Sequence, residues 1–213
     1  MKKVIPFILL ICMVQLVSCS SKEEKAEKLI KGELAKTLYD FESYQPIETT
    51  IKEAKMNIYN DSACWKKGAV LAYNMQLMMN YCDQYKEAKE HMDIWGRPTS
   101  YSSTYSDNQY YKYKKEFEEA LENAVTTREL CKSLANTLKD SASELDTTKV
   151  IGWEVIHRFR CKTKGGYSTI GNYRYIISKD FKSVLLHEDT DDDDNIKIRE
   201  ALGSVLSNYW DDL

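Results

Sequence analysis

The chain has 213 residues, with 30 lysines and arginines against 33 aspartates and glutamates, a formal charge of −3, and 43% hydrophobic residues. A mildly acidic chain without a basic run argues against nucleic acid as the partner, and this length suits one domain or two small ones. Three prolines and eight glycines leave little composition for long flexible linkers, while fifteen tyrosines stand out.

At the N-terminus, Lys2 and Lys3 precede a run from Val4 to Val17 that only Pro6 and Gln15 interrupt. Crossing a bilayer takes about 20 apolar residues. A shorter run with a basic flank fits the core of a signal peptide. In place of the usual small-x-small cleavage site stands Leu16-Val17-Ser18-Cys19, which resembles the lipobox of bacterial lipoproteins. The resemblance implies cleavage before Cys19, palmitate-type acylation of that residue and anchorage to a membrane; an ordinary signal peptide with an unmodified Cys19 is the alternative. The expected organisation is a signal peptide over 1–18 and a lipidated tether over 19–24. Loss of two lysines and no acid would move the charge from −3 to −5. Lys22-Glu23-Glu24 resembles the Lys-acidic export signal of Bacteroidota lipoproteins, which implies an outer-membrane protein at the cell surface. Read only as a solvated charge cluster opening a helix, the same residues leave the periplasmic face open.

Along the body, residues 23–40 read as a helix, with Ile30, Leu34, Leu38 and Phe41 at helical spacing. Ser43-Tyr44-Gln45-Pro46 is expected to break it. Ile47–Ile51 could be an edge strand or the start of another helix. Asp61 or Ser62 can cap a long helix to Trp95, in which Leu71, Met75, Met78, Cys82, Tyr85 and Met92 form an a/d seam broken only at Lys89. Gly96-Arg97-Pro98 stops it, and a Ser/Tyr-rich loop follows to Asn108. A second long helix, 109–141, continues the spacing with Tyr110, Tyr113, Phe117, Ala120, Ala124, Thr127, Cys131, Leu134 and Leu138. Two matched seams specify an antiparallel helical hairpin, with Ala120 and Ala124 expected opposite bulkier Met and Tyr side chains.

From Lys149 the period becomes two. Trp153, Val155, His157, Phe159 and Cys161 share one face, and Lys164-Gly165-Gly166 signals a hairpin turn. Tyr173, Tyr175 and Ile177 continue on a returning strand, Ser183–Glu188 forms a third, and Ile198, Ala201, Leu202, Val205, Leu206 and Tyr209 make the apolar face of a final helix. The expected fold class is α+β: a long antiparallel helical hairpin, a C-terminal antiparallel β-meander of three or four strands, and a final helix. The expected grouping is a helical region over 25–145 and, over 146–213, a meander and helix packed with it as one domain. Ser43–Thr49, Met92-Asp93-Ile94-Trp95 and Gly152–Cys161 together resemble small lipoproteins of Bacteroidota. That group carries no assigned activity, so the resemblance implies lineage and location alone.

Chemistry-bearing residues are sparse. Asp189, Asp191, Asp193 and Glu200 occupy positions 1, 3, 5 and 12 of an EF-hand-like loop, one reading of which is a calcium site. Asp194 stands where such a loop wants glycine, and a strand precedes it; the competing reading is an acidic run favouring a helix N-terminus. Tyr101 and Tyr105, on the hairpin's tip, could stack on a glycan or protein partner, or simply close the hairpin's end. His157 on an apolar strand face reads as a satisfied core histidine, and His91 and His187 have no evident partners. Gly166-Tyr167-Ser168-Thr169-Ile170 lacks the final glycine of a nucleophile elbow and sits on a hairpin. Cys64, Cys82, Cys131 and Cys161 have no Cys-x-x-Cys spacing; three full connectivities or four reduced thiols are open to them. No catalytic motif is found and no cofactor is expected. The expectation is a membrane-anchored extracytoplasmic binding or interaction protein, the alternatives being a glycan- or peptide-directed hydrolase and a structural envelope component.

Overall fold

The computed structural model describes residues 21–210, so the lipobox and Cys19 lie outside the described residues. The fold is α+β. Its elements are helix α1 (Lys22–Thr37), strand β1 (Asp40–Lys55), helices α2 (Ser62–Trp95) and α3 (Thr104–Ser143), strands β2 (Val150–Lys162), β3 (Ser168–Ser178) and β4 (Val184–Asp189), helix α4 (Asp193–Leu206) and a 3-10 turn, Asn208–Trp210. Two compact units result. The first combines residues 21–54 with 151–189, and the second combines 55–150 with the segment from 190 on. This grouping differs from the expected division at 145 and 146. α1 and β1 join the C-terminal strands, because β2–β4 need a fourth strand and a helical cover, and α4 joins the hairpin.

In the first unit the sheet order is β1-β2-β3-β4. β2 and β3 pair antiparallel from Gly152↔Ser178 to Lys162↔Ser168, and β4 returns along β3. α1 begins on a capping box: Ser21 Oγ accepts from the Glu24 amide while the Glu24 carboxylate accepts from the Ser21 amide. Ala26, Ile30 and Leu34, one helical face, bury against Val155, Phe159, Cys161, Tyr175 and Ile177 of the sheet. The helix stops at Thr37 rather than 40, with extended Leu38 as its cap. Phe41 therefore joins the core from β1. Ser43–Pro46 does not break the chain but lies within a sixteen-residue strand. An edge position tolerates Pro46, which has no amide hydrogen to give. On the opposite sheet face, Arg174 donates from Nε to Glu154 (2.9 Å) and from Nη1 to Glu188 (3.3 Å).

In the second unit α2 and α3 pack as the antiparallel hairpin. Tyr85 meets Phe117, His91 meets Tyr113 and Trp95 meets Tyr105. At the other end Lys67 Nζ donates to Ser141 Oγ at 2.6 Å. Asp61 caps α2, accepting from the Cys64 amide, and Gly96 ends it at φ 64°, a left-handed conformation that suits glycine. The seam is continuous where it was expected to break: Ala88 is buried and Lys89 points outward. α3 starts at Thr104, five residues before the expected 109, because Ser103 supplies an N-cap by accepting from the Ser106 amide. In α4, Ala201, Leu202 and Val205 are buried, but Leu206 and Tyr209 are exposed, since the helix ends at Leu206.

Gly68 marks the close approach of α2 to α4. A Cβ there would lie 2.8 Å from Leu202 Cδ2, whereas one at Gly32 would meet nothing within 4 Å. Gly68→Val is expected to lower the unfolding free energy by about 2 kcal/mol through overpacking. Gly32→Ala should raise it by up to about 1 kcal/mol through helix propensity alone. Urea denaturation of both variants checks the contrast.

Candidate functional site

The distal end of the hairpin carries the concentration of exposed aromatic surface. Its turn is tied internally: the Thr99 amide donates to Ser102 Oγ at 2.9 Å, and the Ser102 amide to Thr99 O at 3.2 Å. Tyr101 stands above this turn at 97% exposure, and Tyr105 is 64% exposed. Tyr105 lies in the first turn of α3 rather than in a loop, edge-on to Trp95 with ring centroids 5.5 Å apart. One edge of Tyr105 is thus fixed by packing while Tyr101 is open on all sides. Ile94 (73%) and Tyr111 (58%) extend the exposed apolar area.

Just below lies a hollow of about 400 Å³ between the two helices, lined by Gln84, Glu87, Ala88 and His91 of α2 and by Tyr113, Glu116, Glu119, Ala120 and Asn123 of α3. Its cause is local. Ala88 of α2 and Ala120 of α3, both buried, are among its lining, so small side chains stand on both helices. Where the seam above and below is filled by ring pairs, two methyl groups leave a void. One wall is the stacked pair His91–Tyr113, with centroids 4.5 Å apart and planes at 16°. Lys112 Nζ sits 5.0 Å from the Tyr113 ring centroid. Glu116 pairs with Lys112 at 3.8 Å, Glu119 with Lys115 at 3.5 Å, and Glu87 with His91 at 3.9 Å. Three carboxylates and two amides around a flat ring pair offer hydrogen-bond acceptors at the rim and an apolar surface within, an arrangement suited to a hydroxyl- or amine-bearing ligand.

His91 was read as lacking a partner, and in the fold it forms this wall. The Glu87–His91 spacing puts both on one helical face, but Tyr113 enters only through the register of the hairpin. The acidic loop is not gathered into a site. Asp189 closes β4, Asp193 opens α4 and Glu200 lies in the helix. Asp192 is the N-cap, accepting from the amides of Asp194 and Asn195, which turns the run into a helix start. Among the described residues no group of three histidines, cysteines or carboxylates is placed to hold a metal ion.

His157 is fully buried with both ring nitrogens engaged: Tyr44 Oη lies 2.9 Å from Nε2 and Thr49 Oγ1 2.9 Å from Nδ1. It is a satisfied core histidine. His187 stacks on Tyr175 with centroids 4.7 Å apart. Ser168 starts β3, directly after the turn at Gly166. The four cysteines are free thiols, so none of the three connectivities is formed. Burial first, then the hydrogen bond and charge of Asp61, push the Cys64 thiol up to about 11.

Burial holds the His157 imidazole below its ordinary value, against the weaker pull of Glu27. An unfolded chain takes up the proton near pH 6.5, and the folded chain takes it up only lower. The stability that His157 confers is therefore complete above that pH and is withdrawn as pH falls below it. Unfolding free energy should fall between about pH 7.5 and 5, with a smaller fall in His157→Gln; equal slopes would refute the assignment. His157→Ala should cost about 3 kcal/mol, from the void and two orphaned hydroxyls. Iodoacetamide at about pH 8 should modify half-buried Cys82 before Cys64, Cys131 and Cys161, which peptide mass mapping resolves. No family model, no curated protein and no solved structure matches this chain.

Proposed function

We propose that the protein is a membrane-anchored, extracytoplasmic binding protein whose distal hairpin takes a polar, glycan-type ligand. The observation that carries the reading is the coincidence, on one end of one hairpin, of the hollow at Ala88 and Ala120 with the exposed rings of Tyr101 and Tyr105. Sugar rings offer apolar faces for stacking and hydroxyls for carboxylate and amide acceptors, and the hollow and tip supply both. Glu116 and Glu119 pair with lysines on their own helix, which holds their side chains toward the rim.

The anchor half of the proposal rests on Leu16-Val17-Ser18-Cys19. Each buried methylene contributes about 0.8 kcal/mol, and one chain alone binds only marginally, so a practically permanent anchor needs more than one acyl chain on Cys19. No helix among the described residues is long and apolar enough to cross a membrane. Export to an outer-membrane surface is the location that Lys22-Glu23-Glu24 suggests.

The test is a glycan array probed with residues 19–213 bearing Cys19→Ser, in wild-type form and with either Tyr101→Ala plus Tyr105→Ala or Ala88→Leu. Signals on a subset of glycans should fall by about tenfold or more in both variants, the loss of roughly 1.4 kcal/mol. Circular dichroism should stay unchanged. Ala88→Leu fills the floor without altering charge, so it separates the hollow from the tip. Binding indifferent to both variants would remove the basis for the site. Turnover of a bound glycan would replace the binding reading with that of a hydrolase.

A further inference from the structure

The first unit holds a recess of its own, about 430 Å³, lined by Lys25, Lys28, Leu29, Gly32, Glu33 and Lys36 of α1 and by Asp180 and Phe181 of the β3–β4 turn. The lysines recur at three- and four-residue steps about Gly32, so they share one flank of the helix. The missing side chain of Gly32 keeps the recess open. Along another flank Glu24 and Glu27 line a separate recess together with Lys28, Lys31, Tyr44 and Pro46. Lysines outnumber carboxylates three to two around the first recess and balance them around the second, with Lys28 bordering both. Lys36 is matched by Glu33 at 2.8 Å, and Asp180 by Lys182 at 3.3 Å. Lys22, Lys25 and Lys28 make no ion pair among the described residues.

An aromatic shelf borders the same recess. Phe181 has a φ of 58°, a left-handed conformation uncommon outside glycine, and it is the one non-glycine residue so placed among those described. The conformation lays its ring on Trp153, with centroids 5.8 Å apart and planes at 15°. Lys22 Nζ lies 3.9 Å from the Trp153 ring centroid, and Trp153 Nε1 donates to Lys179 O at 3.4 Å. Strain of this kind persists where surrounding contacts over-determine it. Both rings are half-buried against the core of the first unit, with Lys22 over the Trp153 ring.

The position of the shelf along the chain says what it meets. Cys19 precedes Ser21, the N-cap of α1, by two residues, a reach of at most about 7 Å, and Lys22, Lys25 and Lys28 fall within the first two turns of the helix. The headgroup layer on each side of a bilayer is about 5–8 Å deep. Lysine with tryptophan is the pairing found at membrane interfaces, and each lysine near an anionic surface adds attraction that fades within a Debye length. We infer that the basic flank of α1 and the Trp153–Phe181 shelf form a second membrane contact, which takes the phosphate headgroups of the bilayer that holds the anchor. The inference rests on the anchor half of the proposed function. Two contacts, one covalent lipid and one headgroup recess, fix the orientation of the first unit, which a single tether leaves free.

The experiment uses residues 19–213 with Cys19→Ser, which keeps every described residue and carries no lipid. Flotation with phosphatidylglycerol vesicles should recover the protein, and flotation with phosphatidylcholine vesicles should recover less. Lys25→Glu with Lys28→Glu should weaken the anionic partition by about tenfold or more. The milder Lys25→Gln with Lys28→Gln should weaken it less, and reversal of Lys112 and Lys115 on the hairpin should leave it unchanged. Partition indifferent to Lys25 and Lys28, or absent from both vesicles while inorganic phosphate gives a calorimetric signal, would overturn the inference, the latter in favour of a small-anion site. Mass spectrometry of Cys19 in the full chain tests the anchor separately: an unmodified Cys19 beside intact vesicle binding would sink the anchor and leave the recess standing.

Discussion

The sheet of the first unit depends on a pairing closed over more than one hundred residues. β1 and β2 flank the entire α2–α3 hairpin in sequence, and the buried imidazole of His157 is the polar group that fastens them, holding Tyr44 and Thr49 of the edge strand at 2.9 Å each. Loop closure of that length costs chain entropy that grows only slowly with further length, but it must be repaid by contacts specific to the register. A hydroxyl at each ring nitrogen supplies that specificity, because a slip of one residue would turn both hydroxyls to the other face. Lys162, whose amide donates to Ser43 Oγ at 2.8 Å, secures the far end.

The helical seam was legible because its period is a direct imprint of burial. Phe117, Ala120, Ala124, Thr127 and Cys131 alternate by three and four residues in the sequence and lie inward in the fold. β2 was equally legible, since Val155, His157, Phe159 and Cys161 alternate with Glu154, Arg158, Arg160 and Lys162, only Ile156 departing from the pattern. β1 was not. Only Ala54 of its sixteen residues is buried, so no alternation marks it, and Pro46 argues against a strand until its edge position is known. The true grouping of α1 and β1 with the late strands was hidden for the same reason. The α2 cap at Asp61 could be read directly, while the start of α3 was concealed among serines, any of which could have served as its cap.

The hollow on the hairpin shows a different limit. Ala88 and Ala120 are ordinary seam residues, each in step with its own helix, and neither carries a signal of a site. The hollow lies between the two helices with both alanines in its lining, and His91 and Tyr113 close one side. A one-dimensional pattern identifies which residues face inward but not which small residue meets which. The acidic run carried two readings, of which the helix start is visible in the fold. Its spacing matched a calcium loop by residue type, while the backbone used Asp192 to cap α4 and directed the remaining carboxylates along a helix.

β1 is the edge strand of its sheet, and that edge would have a consequence under the proposed anchor. Lipid-anchored copies share two dimensions rather than three, which raises their effective concentration for one another. An open strand edge under such crowding is a template for joining sheets end to end. Pro46 removes a donor from β1, and Glu42, Glu48, Lys52, Glu53 and Lys55 are exposed along it. Pro46 and these charges make the edge a poor template for a second copy's strand, and the low burial that hid β1 from the sequence follows from that exposure.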